Sequence, residues 1–139
     1  MKKISICLIL LIKLYCNEAF CQTGELCSAE IKWEHFGTET VVDVKCDQFD
    51  AQFIKTKQSH VIKNFKTLAE LNKLRSLKWF NKKTDYKTID VRGKIIFHYS
   101  KSTIEYCFDQ FGHFYKDGSL TNNRHLWSFI TKFIPKKDQ

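Results

Sequence analysis

The sequence predicts an α+β fold in which an antiparallel sheet is packed by two amphipathic helices. Two stretches, residues 29–46 and 88–108, alternate apolar with polar side chains, which is typical of half-buried strands. Each stretch is followed by a segment in which apolar residues recur with helical spacing. The chain is 43% hydrophobic and contains a single proline, and such a composition argues against disorder. Helices with one apolar face can cover the dry face of such a sheet.

The N-terminal segment, residues 1–21, has the three parts of a secretory signal peptide. Lysines open it, an apolar run reaches Ile12, and Ala19 and Cys21 fit the small-residue rule at a cleavage site. The apolar run is shorter than the ~20 residues that a membrane-spanning helix needs, although an uncleaved anchor or a buried strand is the alternative. The sequence therefore predicts cleavage after Cys21, one mature domain over residues 22–139, and a periplasmic or extracellular location.

The first strand pair is predicted over residues 29–33 and 40–46, joined by a turn at Phe36-Gly37 or at Gly37-Thr38. The first of these turns sets Cys27 opposite Cys46, close enough for a disulfide bond. Cysteines of an exported protein can oxidise, and three remain after the predicted cleavage. The sequence therefore predicts a Cys27–Cys46 bridge and leaves Cys107 as a packed thiol.

The second stretch predicts one long strand over residues 88–99, whose apolar residues hold the odd positions. A turn at residues 101–102 would return the chain and pair Phe97 with Tyr106 on the buried face. Residues 116–118, Lys-Asp-Gly, predict a tight turn into a further short strand.

Two helices are predicted after these strands. Thr67 and Glu70 have the spacing of a capping box, so the first helix should begin there. The last helix should be capped by Asn122 or Asn123, and its core-facing stripe consists of Leu126, Phe129, Ile130 and Phe133.

The chain also resembles itself. The triplet Asp47-Gln48-Phe49 recurs as Asp109-Gln110-Phe111, and each copy follows an alternating stretch and precedes a helical segment. A shared tripeptide is weak evidence, but the matching order of elements favours two degenerate ββα halves.

The catalytic candidates are Asp109, His113 and Lys116, which surround Gly112. His113 would act as a general base, Asp109 would orient it, and Lys116 would stabilise anionic charge. The simpler interpretation is that Asp109 and Lys116 are solvated charges beside turns. The histidines and cysteines lack the local spacing of metal ligands, so no metal site is predicted.

A basic segment supplies the stronger interaction signal. Basic side chains far outnumber acidic ones between Lys55 and Lys87. A positive surface attracts nucleic acid, acidic glycans or anionic lipid head groups through its long-range field. The alternative is a solvated helix face that serves solubility. The candidates for anion binding are Lys73, Arg75, Lys78, Lys82 and Lys83.

The sequence favours a small exported protein that works as a non-catalytic binding or interaction module and requires no cofactor. Its net charge of +8 favours an anionic partner. The alternative is a small secreted hydrolase that acts on an anionic polymer through Asp109, His113 and Lys116. A third hypothesis is an accessory protein that pairs through an exposed sheet edge.

Overall fold

The computed structural model describes residues 24–77, 79–81 and 89–139, and the predicted signal peptide with its cleavage site lies outside these ranges. The described strands form one antiparallel sheet in the order β2-β1-β4-β5-β6-β7-β3. The predicted α+β class is therefore confirmed. The strands are β1 (Leu26–Trp33), β2 (Gln58–Ile62), β3 (Phe80–Asn81), β4 (Gly93–Tyr99), β5 (Thr103–Phe108), β6 (His113–Lys116) and β7 (Ser119–Asn122).

Helices pack on one face of the sheet, here called the inner face. They bury the main core against strand residues that alternate along β1, β4 and β5. The helices are α1 (Phe49–Gln52), α2 (Phe65–Ser76) and α3 (Arg124–Ile130), of which α2 and α3 cover the inner face. The fully buried residues of this core are Ala29, Ile31, Leu71, Ile95, Phe97, Phe108, Phe114, Leu126 and Ile130.

The opposite, outer face is covered as well, which the sequence did not predict. Most of residues 34–57, including α1, lie across it, whereas Phe36 joins the main core; they form a second apolar cluster with β5 and with the residues before β4. That cluster consists of Val44, Phe49, Phe53, Ile89, Val91 and Cys107. Both faces of the sheet are therefore shielded from solvent at its centre.

The predicted first hairpin is wrong in its second strand. Residues 40–46 form no strand, and β1 lies between β2 and β4 instead, with Ile31 opposite both His60 and Ile95. Both β4 and residues 40–46 alternate, but β4 places a longer row of apolar side chains beside β1. Tertiary packing therefore decided a pairing that local alternation left open.

The predicted β4–β5 hairpin is confirmed in its faces and wrong in its register. Phe97 pairs with Ile104, and Ile95 pairs with Tyr106, a shift of two residues from the predicted pairing. Because side chains alternate with a period of two, this even shift keeps every residue on its predicted face.

One turn and two helix caps each depend on one or two residues. The β6–β7 turn is formed as predicted, with both Asp117 and Gly118 at positive φ (49° and 79°), as a tight hairpin turn requires. Asn123 caps α3 as predicted, since its side chain accepts a hydrogen bond from the Leu126 amide at 2.9 Å. The cap of α2 is Asn64 rather than Thr67, whose amide donates to Asn64.

The last turn of the chain is tied to β1 and β2. The buried carboxylate of Asp138 accepts hydrogen bonds from Trp33 Nε1 at 3.2 Å and from Gln58 Nε2 at 3.1 Å. The Asp138 carbonyl accepts from the amide of Phe36 at 2.8 Å. These bonds fix the point at which the chain leaves β1 and turns onto the outer face.

Candidate functional site

A cleft of about 430 Å³ opens where two connections meet at one end of the sheet. One wall is the segment after β1, residues 36–40, and the other includes Gln110 from the β5–β6 connection. We call this feature the interloop cleft. Its lining residues are Phe36, Gly37, Thr38, Glu39, Thr40, Asp90, Arg92 and Gln110.

The first wall is fastened at its base by a buried arginine. Arg92 donates to the Thr38 carbonyl at 2.9 Å and forms an ion pair with Asp90 at 2.5 Å. Asp90 also accepts a hydrogen bond from the Val44 amide at 2.9 Å. Such charge-assisted bonds are short and directional, so they hold Thr38 within this wall and Val44 just after it in place.

A buried carboxylate supports the same wall from below. Glu34 accepts hydrogen bonds from the hydroxyl of Thr38 at 2.9 Å and from that of Thr56 at 2.5 Å. A buried carboxylate without partners would be strongly unfavourable, so these two hydroxyls are part of the reason that Glu34 can lie there.

The second wall is organised by Asp109, one of the catalytic candidates. One carboxylate oxygen of Asp109 accepts from the amides of Phe111 and His113, both at 2.9 Å. Gly112 completes the connection with a φ of +81°, a conformation that glycine adopts without steric cost. Asp109, which is 7% exposed, therefore shapes the loop that carries Gln110 and Phe111.

Trp127 of α3 supports both walls. Its ring stacks on Phe36 at 5.9 Å between centroids. It also lies so close to Gly112 that a Cβ at that position would be 2.6 Å from the indole ring. The geometry of both loops therefore depends on one side chain.

The two loops that line the cleft also carry apolar side chains that are exposed to solvent, here called the rim residues. Val41 is fully exposed, Val42 is 73% exposed and Phe111 is 70% exposed. Val41 follows the lining residue Thr40, and Phe111 follows the lining residue Gln110. Apolar side chains on anchored loops beside a concavity are typical of binding surfaces.

The three catalytic candidates do not converge. His113 Nδ1 lies 2.7 Å from Asp109 Oδ2, so this pair has the predicted hydrogen bond. Lys116, however, lies on the inner face with Phe114, whereas His113 lies on the outer face with Tyr115. Positions 113 and 116 have opposite parity along β6, which separates them. Lys116 instead pairs with Asp117 at the turn.

A second charged group lies on the outer face, under α1. Lys94, which is 5% exposed, lies 3.1 Å from Asp50 and 3.0 Å from Glu105. Burial lowers the pKa of Lys94, but hydrogen bonds to Glu105 and Asp50 outweigh this and raise it above the ordinary value. A lysine with a raised pKa keeps its proton, so the geometry favours an ion pair over a nucleophile.

Three lysines lie within ion-pair distance of the Asp50 carboxylate. Its carboxylate lies 2.9 Å from Lys57, 3.1 Å from Lys94 and 3.5 Å from Lys32. Burial raises the pKa of Asp50, but the hydrogen bonds from Lys57 and Lys94 dominate and lower it to about 2. This network ties α1 to β1 and β4 and explains why basic strand residues are buried there.

The predicted Cys27–Cys46 disulfide is wrong, because Cys46 is bonded to Cys107, with 5.7 Å between their Cα atoms. The reason is that residues 40–46 cross the outer face of β5 instead of pairing with β1. The carboxylate of Glu105 lies near both bonded sulfurs, at 3.8 Å and 3.9 Å, which gives this group the composition of a metal site. The two sulfurs are bonded to each other in the disulfide, and the Glu105 carboxylate forms an ion pair with Lys94. These residues therefore do not fit a metal ion.

The anion-binding candidates are only partly described. Lys73 lies on the exposed side of α2. Arg75 lies on its core side, with its guanidinium carbon 5.6 Å from the ring of Tyr99 and 6.0 Å from that of Phe97. The two do not share a surface. Lys78, Lys82 and Lys83 lie outside the described residues.

Comparison of the chain with protein-family models, with curated proteins and with solved structures gives no match. Within the described ranges, every helix is too short or too polar to cross a bilayer. The site is therefore judged on its geometry.

Sequence reasoning missed the interloop cleft, and the available signal was the pair Val41-Val42, which interrupts the alternation between Glu39 and Asp43.

Proposed function

We propose that this protein is an exported, non-catalytic binding module that engages a polypeptide partner at the interloop cleft. The observation that carries the proposal is the exposure of Val41, Val42 and Phe111 on two loops that border one concavity. Export is supported by the leader-like segment 1–21 and by the Cys46–Cys107 disulfide, since such bonds persist in oxidising compartments.

The anchoring of the loops supports binding over a role in packing. Arg92, Glu34 and Asp109 each use hydrogen bonds to hold loop backbone or hydroxyl groups near the cleft. A surface that is ordered before it meets a partner loses less conformational entropy on association. Val41 is fully exposed and Val42 mostly so, and a partner that covered them would add apolar burial that the free chain lacks.

Selection from a displayed library of random peptides on the immobilised protein tests the proposal. Enriched peptides should bind the wild type, and Val42→Asp and Phe111→Asp should each weaken their affinity at least tenfold by biolayer interferometry, a difference of about 1.4 kcal/mol. Ile54→Asp is the matched control, because Ile54 is 71% exposed but is not within two residues of any residue that lines the cleft, whereas Val42 and Phe111 are. Equal loss in all three variants, or no enriched peptide, would overturn the proposal.

One observation favours the hydrolase alternative: the Asp109–His113 hydrogen bond could orient a general base. The position of Lys116 on the other face counts against it. Incubation with defined anionic polymers, such as RNA and hyaluronan, decides between them. Cleavage by the wild type that disappears in His113→Ala would support the hydrolase, and an intact polymer with the wild type would reject it for that substrate.

The expectation of an anionic partner concerns a different surface. Lys73 on α2 is its exposed, described candidate. If this surface binds polyanions, the wild type should elute from immobilised heparin at a higher salt concentration than Lys73→Glu. Lys132→Glu, which makes the same charge change at an exposed position just after α3, is the control. Elution of the wild type in the wash at low ionic strength would reject this partner class.

A further inference from the structure

We infer that the interloop cleft selects a cationic segment: an extended peptide in which a lysine or arginine is flanked by apolar side chains. The inference rests on the proposed function and names the chemistry of the partner. It runs against the net charge of +8 of the whole chain, which by itself favours anionic partners.

The first step is the charge of the cleft. Arg92 is its only lining cation among the described residues, and Asp90 neutralises it at 2.5 Å. The same guanidinium also donates to the Val91 and Thr38 carbonyls at 3.3 Å and 2.9 Å. An incoming anion would therefore have to replace bonds that Arg92 already makes.

The second step is the acidic rim. Glu39 lines the cleft and is exposed, and no described residue forms an ion pair with it. Asp43, which is also exposed, follows the two rim valines. The order Glu-Thr-Val-Val-Asp therefore places two exposed apolar side chains between two acidic residues in sequence. A cation beside Glu39 would gain Coulomb energy without losing an existing partner.

The third step is the shape of a fitting side chain. Lysine and arginine lay an apolar stem along hydrophobic surface while the charged end stays hydrated. The valines, which follow Glu39 by two and three positions, offer such a surface, and the exposed Phe111 follows the lining residue Gln110 on the other loop. A peptide with apolar residues around one basic residue would use both features at once.

Two matched pools of fluorescein-labelled nonapeptides test the inference. Both carry the same mixture of leucine, valine and phenylalanine around a central residue, which is lysine in one pool and glutamate in the other. Fluorescence polarisation at low salt should give the lysine pool at least about fivefold higher affinity for the wild type. The ratio should shrink towards one as the salt concentration rises to ~0.5 M.

Two charge reversals locate the effect. Glu39→Lys should abolish or invert the preference for lysine. Glu70→Lys makes the same change on the exposed side of α2, far along the chain from the cleft, and should leave the preference intact. Both are exposed positions, so neither variant should lose its fold, which circular dichroism checks.

The outcomes separate the two proposals. Equal binding of both pools, with both weakened by Val42→Asp, overturns the cationic selectivity and leaves the binding module standing. Preference for the glutamate pool also overturns the selectivity. Failure of both pools to bind overturns the selectivity and the proposed function together.

Discussion

Breaking the Cys46–Cys107 disulfide should remove a large part of the free energy of unfolding. The bridge joins residues 61 positions apart and attaches residues 34–57 to the outer face of β5. Closing a loop of that length lowers the entropy of the unfolded chain by about 14 cal/mol/K, which corresponds to about 4 kcal/mol at 25 °C. Small domains have total stabilities of roughly 5–15 kcal/mol, so the loss should be easy to measure.

Two variants divide the effect into its parts. Cys46→Ala breaks the bridge but keeps the buried sulfur of Cys107, and it should cost about 4 kcal/mol. The double variant with Cys107→Ala also opens a small cavity and should cost roughly 1 kcal/mol more. Urea unfolding followed by circular dichroism gives these differences, and a midpoint lowered by about 2–3 M corresponds to the larger loss.

Two results would refute this reasoning. A loss below about 1 kcal/mol in Cys46→Ala would mean that the bridge does not restrict the unfolded chain as the loop length requires. Peptide mapping without reductant gives the second check. A fragment joining Cys46 to Cys27, as the sequence alone predicted, would show that the outer layer is attached differently.

Three further predictions concern single residues. Asp50 has a lowered pKa of about 2, so its contribution is fully present above pH 3.8 and is lost as the pH falls from 3.8 to 2. Asp50→Asn should remove the part of the acid dependence of stability that Asp50 contributes. That part is about 1 kcal/mol, because solvent screens a side chain that is 40% exposed, and urea midpoints measured between pH 2 and pH 6 would show it. Lys94→Met should leave two carboxylates near each other without their buried cation and cost about 2–4 kcal/mol in urea unfolding at pH 7; no loss would mean that the pair is worth no more than an apolar side chain. Gly112→Ala should lower the thermal midpoint more than Gly118→Ala, because both glycines have positive φ but only the first has Trp127 at 2.6 Å; equal shifts would contradict the steric argument.

Elements with a complete local signal were predictable. The alternation in β4 and β5, the Asp117-Gly118 turn and the Asn123 cap each depend on neighbouring residues alone, and the structure has all of them, although the strand predicted over residues 88–99 is formed only over Gly93–Tyr99 and residues 89–92 lie outside any strand. The predicted ββα repeat stays a prediction, with one copy of its triplet leading into α1 and the other into the β5–β6 connection.

Choices between distant partners were not predictable. Residues 40–46 also alternate apart from the pair Val41-Val42, and only packing of the whole chain decides whether they or β4 lie beside β1. The disulfide prediction failed together with that pairing. Lys94 and Arg92 occupy positions that alternation assigns to solvent, and they are buried because residues 34–57 cover the outer face.

The candidate site was predictable only within one hairpin. The Asp109–His113 hydrogen bond follows from the turn at Gly112, whereas Lys116 was assigned to the same group although strand parity separates it from His113. The interloop cleft joins segments that are far apart in sequence, so the pair Val41-Val42 could mark one of its loops, but no local pattern could indicate that the two loops meet.

The hydrogen bonds of Asp138 have a practical consequence for anyone trimming this chain for crystallisation. A shortened form that stops at Pro135 would leave the buried indole N–H of Trp33 without its acceptor, the Asp138 carboxylate. The amide of Phe36, a residue that lines the cleft, would lose its hydrogen bond to the Asp138 carbonyl. Ligand screens run on such a truncated sample would then probe an altered pocket, and negative results from them would say little about the intact protein.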